Sequence, residues 1–138
     1  MKVSTYRMTE ALGEAEDLRT FTLEYRDEFI KDPAHVYLAR LMEEKGLSTA
    51  QLCERSGLGN YGYKLVSGTR TPSRNAAIRI IIGAGLDLEQ AQQYLRLAQL
   101  ARLDPRCYRD TAIMFSISKK ADLIRTQELL NEIGEQEL

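Results

Sequence analysis

The sequence predicts an all-α fold. Three observations predict it. Apolar residues recur at helical spacing from Ala34 almost to the last residue. Helix-capping and helix-stopping residues bound those stretches. No clear alternating apolar run with an Asn-Gly or Asp-Gly turn appears. At 138 residues, 43 % apolar and 28 % charged, the chain can bury a sizeable core and falls outside the disordered and fibrous classes.

The elements read in order as follows. Residues 1–30 carry the weakest pattern: a helix is expected near Thr9 to Thr20, with a short strand over Phe21 to Tyr25 as a weak option. Asp32-Pro33 is a sound helix start, Asp as cap and Pro in the first turn. Ala34, Tyr37, Leu38, Leu41 and Met42 then form one stripe, and Gly46 is a stop. Ser48 caps a short helix holding Leu52 and Cys53, which breaks at Ser56-Gly57. A second short segment, Asn60 to Ser67, ends at Gly68. After Thr71-Pro72, Ser73 caps a helix with Ala76, Ala77, Ile80, Ile81 and Ala84 inside, which Gly83 and Gly85 should end. Asp87 starts a helix with Leu88, Ala91, Leu95 and Ala98 on one side. Asp104-Pro105 interrupts, and helical stretches over Tyr108 to Ile117 and Ala121 to Ile133 follow.

The organisation expected is an N-terminal arm over 1–33, a core over 34–90, and further helices over 91–138. The longest apolar run, Ile80 to Leu86, is too short to span a bilayer, so no membrane partner is expected. Cys53 and Cys107 are far apart with no C-x-x-C, which excludes a disulfide scaffold and a cysteine zinc site. Together with an N-terminus lacking an apolar signal-like stretch, this fits a cytoplasmic protein.

The net charge of −1 conceals an asymmetry. Residues 1–47 sum to −3 and residues 80–138 to −2. Residues 48–79 sum to +4, with Arg55, Lys64, Arg70, Arg74 and Arg79 against Glu54 alone. A basic island in an acidic chain is a local statement about a partner, or else a solvated helix face.

That island coincides with the most informative segment, Gly46 to Ser73. Two short helices are separated by a tight glycine turn. Close packing of the pair wants a small inner residue, which Cys53 supplies; the turn wants positive φ, which Gly57 supplies without Cβ strain. Leu52 and Leu58 seat the pair. Two such helices crossing steeply make a helix-turn-helix.

The pattern K-G-L-S…L-x-E-x-S-G-L…S-G-x-R-x-P-S from Lys45 to Ser73 resembles the lambda-repressor-like (Cro-type, XRE) helix-turn-helix family. The resemblance covers residues 34–90. It implies a helix-turn-helix bundle, here with extra C-terminal helices, that binds double-stranded DNA as a transcriptional regulator without a cofactor. By that resemblance the helix over 60–67 enters the major groove. Asn60 would offer a bidentate contact to adenine, Tyr61 would meet sugar or a thymine methyl, and Lys64 would reach guanine or phosphate. Thr49 would touch a phosphate at its helix start, and Arg70 and Arg74 would grip the backbone.

One departure matters. Leu58 and Gly68 are one residue closer than in the family pattern. In one register Tyr63 and Val66 point inward; with the gap in the turn, Gly62 and Leu65 do. Tyr63 is expected in the core and not at a contact. Both registers leave Asn60, Tyr61 and Lys64 outside. Gly62 costs the helix roughly 1 kcal/mol against alanine; close approach to a neighbouring helix or to DNA would account for it.

Catalytic signals are absent from the pattern. His35 reads as an ordinary surface residue, no Ser or Cys has a local base, and no phosphate-loop or H-E-x-x-H motif occurs. Arg79, inside an apolar helix, reads as an intrachain ion-pair partner. The C-terminal helices either cover the N-terminal arm or provide a homodimer seat, two-fold dimers being frequent in the family. Lys119 to Gly134 faintly resembles a second helix pair, without a basic face. The competing function is a protein-interaction module, an antitoxin or adaptor on the same scaffold, suggested by modest basic charge and the shortened reading segment.

Overall fold

The structure, a computed structural model, describes residues 3–29 and 32–138, and the described residues form helices and no strands. They fall into two compact units, Met1–Lys31 and Asp32–Leu138.

In the first unit, α1 (Thr5–Glu14) is capped by Ser4 and α2 (Leu18–Glu24) by Asp17. The single helix expected over Thr9 to Thr20 is therefore two. The break falls where Ala15 turns extended and the Asp17 carboxylate accepts the backbone N–H groups of Arg19 and Thr20. The weak strand option over Phe21 to Tyr25 is also corrected. Those residues lie in and just after α2, which places Phe21 and Tyr25 four apart on one face, their rings stacked at 4.7 Å.

The second unit opens with α3 (Ala34–Lys45) and, after a short turn, α4 (Thr49–Ser56). Pro33 is the N-cap of α3; Asp32, expected to cap, turns its carboxylate to Arg40 instead. Gly46 ends α3 in the left-handed region (φ 65°), and Ser48 opens α4 with a reciprocal capping box to Gln51. After α4 comes the short α5 (Asn60–Val66).

Two helix hairpins follow. One pairs α6 (Arg74–Ala84) with α7 (Leu88–Leu97) through left-handed Gly85 and an Asp87–Gln90 capping box. The other pairs α8 (Tyr108–Ser118) with α9 (Leu123–Glu132) through left-handed Lys120 and an Asp122 cap. The pair expected over Lys119 to Gly134 is thus a single helix, and its partner is α8.

These last two hairpins repeat one another in detail. Asp87 and Asp122 cap the second helices, and Gly85 and Lys120 hold the turns. The Gln92 side-chain amide pairs with both backbone groups of Leu103 at 2.8 Å. Gln127 does the same to Leu138 at 2.8 and 3.2 Å. Arg74 donates to the carbonyls of Ala101 and Arg102, and Arg109 to those of Gln136 and Glu137. Each matched pair lies 35 positions apart, as 120 minus 85 and 138 minus 103 illustrate.

Helix α6 is the centre. From Ala76 to Ala84 every residue but Arg79 is buried, with Ala77, Ile78, Ile80 and Ile81 at 0 % exposure. Each such isoleucine contributes roughly 1.5–3 kcal/mol of apolar burial. Gly83 lies inside α6 rather than ending it. A Cβ there would stand 2.9 Å from the Ser56 backbone nitrogen, so α4 crosses α6 at the distance only a glycine permits.

Candidate nucleic-acid interface

Helix α5 is fixed by how tightly it meets α4. Gly57 closes α4 at φ 67°, with its N–H on Cys53 and Glu54 carbonyls. Gly59 leads into α5. A Cβ on Gly62 would lie 2.5 Å from Cys53 Sγ, so the two helices touch through a residue without a side chain. Burial pushes the Cys53 thiol pKa up, which keeps it a neutral packing group.

The register follows. Gly62 and Leu65 face inward, Leu65 at 2 % exposure, and Tyr63 stands outside at 48 %. The expectation of Tyr63 in the core is overturned: of the two registers, the one with Gly62 and Leu65 inside is found. The close approach that Gly62 permits is to a neighbouring helix. Asn60, Tyr61, Tyr63 and Lys64 are all exposed on α5. Tyr63 is the member that sequence reasoning set aside.

The far end of α5 is fixed as well. Arg70 N–H donates to the Lys64 carbonyl at 3.2 Å, so the loop after α5 folds back and holds Arg70 beside it. Gly68 (φ 80°) lies over the His35 ring, close enough that a Cβ would meet Nδ1 at 2.6 Å. His35 is therefore a half-buried support for this loop rather than an ordinary surface residue. Thr49 is half-buried in the first turn of α4.

The five cations of the basic island divide sharply. Arg55, Lys64 and Arg70 are exposed, and their side chains have no hydrogen bond or ion pair among the described residues. Arg79 donates to the Ser56 carbonyl (3.2 Å) and to the backbone oxygen of Leu138 (2.8 Å), so it is turned into the fold.

Arg74, expected to grip a DNA backbone, is committed inside the fold. It forms a two-pronged pair with buried Asp110 at 2.9 and 2.8 Å, besides its bonds to Ala101 and Arg102. Four of its N–H···O contacts are thus intramolecular, out of five guanidinium donors. Burial alone would raise the Asp110 pKa. The Arg74 guanidinium and the Asp104 backbone N–H at 3.0 Å outweigh burial and hold the carboxyl below its ordinary value.

Among the described residues no group of His, Cys, Asp and Glu is arranged to hold a metal ion, and no helix is long and apolar enough to cross a membrane. No protein-family model matches the chain, and no curated protein or solved structure matches it either.

Two measurements probe this geometry. Gly62→Ala should destabilise the protein by about 1–3 kcal/mol through overpacking, although alanine is the better helix former. Cys53→Ala in the same chain should recover most of that loss in urea midpoint; additive losses would contradict the contact. For the ion pair, a depressed folded pKa means stability that is present above 3.8 and is lost as pH falls through the folded value. Unfolding curves should show this acid loss, and Asp110→Asn should cost about 3 kcal/mol at neutral pH and flatten it. Parallel pH profiles for the two chains would remove Asp110 from that role.

Proposed function

We propose that the Asp32–Leu138 unit is a sequence-specific, DNA-binding transcriptional regulator that lays α5 in the major groove. One observation carries the reading. Asn60, Tyr61, Tyr63 and Lys64 lie exposed on a short helix held by close packing, beside Arg70, and both cations lack an intramolecular partner. The resemblance over residues 34–90 supports it, as does the position of these residues in the basic island.

The roles divide by chemistry. Asn60 presents a donor and an acceptor together, the pair that reads adenine in the major groove. Lys64 reaches a guanine edge or a phosphate. Tyr61 and Tyr63 offer apolar ring faces to thymine methyls or sugar. Arg70 and the start of α4 at Thr49 contact the backbone, which sets orientation without reading sequence. Arg74 has no part in the contact; its work is to hold the loop after α7. Two such units related by a two-fold axis would read half-sites about one helical turn apart.

Exposure of two tyrosines, Tyr61 and Tyr63, on one short helix favours a second reading, since tyrosines anchor protein interfaces. In that reading α5 docks a protein partner.

Selection from a pool of short duplexes distinguishes the two. The unaltered chain should enrich a defined sequence. Asn60→Ala should relax preference at one base pair by about 1–3 kcal/mol. Arg70→Ala should weaken all duplexes alike and lower the salt slope by about 0.9. Retention of no duplex at low salt, with one protein recovered stoichiometrically through Tyr61 and Tyr63, would replace the DNA reading with the second one.

A further inference from the structure

Residues 96–110 form a second basic stretch, with Arg96, Arg102, Arg106 and Arg109 against Asp104 and Asp110. Part of this charge is settled internally. Asp110 is neutralised by Arg74, and Arg109 is turned onto Gln136, Glu137 and Asn75. Arg102 and Arg106 are different. Both are exposed, and neither guanidinium has a hydrogen bond or ion pair among the described residues.

Their backbone, by contrast, is pinned. The Arg102 carbonyl accepts from Arg74 Nη2 at 3.1 Å. Leu103 next to it is held on both sides by the Gln92 amide. Asp104 N–H donates to Asp110 Oδ2 at 3.0 Å, and Arg106 N–H donates to Asp104 Oδ1 at 2.9 Å. The acid inside the loop thus faces the loop's own backbone.

The anchor also fixes where this loop lies. Arg74 is the first residue of α6, four positions after Arg70. Its side chain ties the 101–106 segment to the start of α6, at the end of the loop that carries Arg70. A largely buried ion pair is costly to assemble, because both charges must leave water. Here it holds a segment bearing two unpaired arginines against the first residue of α6, four positions along the chain from Arg70.

Building on the DNA reading above, we propose that Arg102 and Arg106 form, with Arg70, a second phosphate-contacting edge beside the start of α6. The ligand is the sugar-phosphate backbone of the duplex whose bases α5 reads. The edge supplies sequence-independent affinity, and it extends the contact beyond the helix pair to the α7–α8 loop.

The test is filter binding of the full chain to a pool of short randomised duplexes across a salt series. Arg102→Ala/Arg106→Ala should lower the log–log salt slope by roughly 1.8 and weaken binding about tenfold or more at low salt. The sequence enriched by selection should stay the same, and so should the thermal midpoint, since the exposed guanidinium groups hold nothing in the fold. If Lys64→Ala and Arg70→Ala weaken binding while the double variant keeps the parent's slope and affinity, the edge is wrong and the α5 reading stands. A changed enriched sequence would also overturn it, making these arginines base readers. An unaltered chain that retains no duplex overturns both.

Discussion

The contact between Gly62 and Cys53 sets the rest of the surface. Once α4 and α5 approach until no Cβ fits between them, α5 has one rotational setting. Gly62 and Leu65 must face the core, and Asn60, Tyr61, Tyr63 and Lys64 must face away. A slip by one residue would drive the Tyr63 ring against the Cys53 sulfur. The left-handed bend at Gly57 sets the direction from which α5 arrives, and the Gly68–His35 contact fixes where it leaves. The chemistry on the outer face of α5 is therefore a consequence of packing on its inner face.

Charge is partitioned by the same packing. The basic island is not one uniform patch. Arg74 and Arg79 are drawn inward to satisfy carbonyls and a buried carboxylate, while Arg55, Lys64 and Arg70 are left to solvent. The inward pair is what joins successive hairpins. Arg74 in α6 reaches Asp110 in α8, and Arg79 reaches the last residue described. Arg109 repeats the grip of Arg74 on a trailing loop, with the Asn75 amide as its further partner. Two hairpins alike to this degree make up the C-terminal half of this unit.

Local signals in the sequence were legible because their physics is local. The stops at Gly46 and Gly85 and the caps at Ser48, Ser73 and Asp87 depend on a few neighbouring residues. What stayed hidden depends on residues distant along the chain. Gly83 looked like a stop because its reason, the Ser56 backbone, is 27 positions away. The α5 register could not be chosen without Cys53 in contact. Arg74 looked available because Asp110, 36 positions on, is an unremarkable acid in a run of polar residues. The N-terminal break was masked by Asp17, one of several acids of which only one caps. The repeat is written in identical residues 35 positions apart, such as Arg74 and Arg109, Asp87 and Asp122, and Gln92 and Gln127, a spacing that helical periodicity does not mark.

A backbone-amide NMR titration of the protein with the duplex it enriches tests the proposed DNA surface on the outer face of α5. Shifts should concentrate at Asn60, Tyr61, Tyr63, Lys64 and Arg70, with the buried residues of α6 little changed. Shifts confined to other surfaces, or none as the duplex is added, would contradict it.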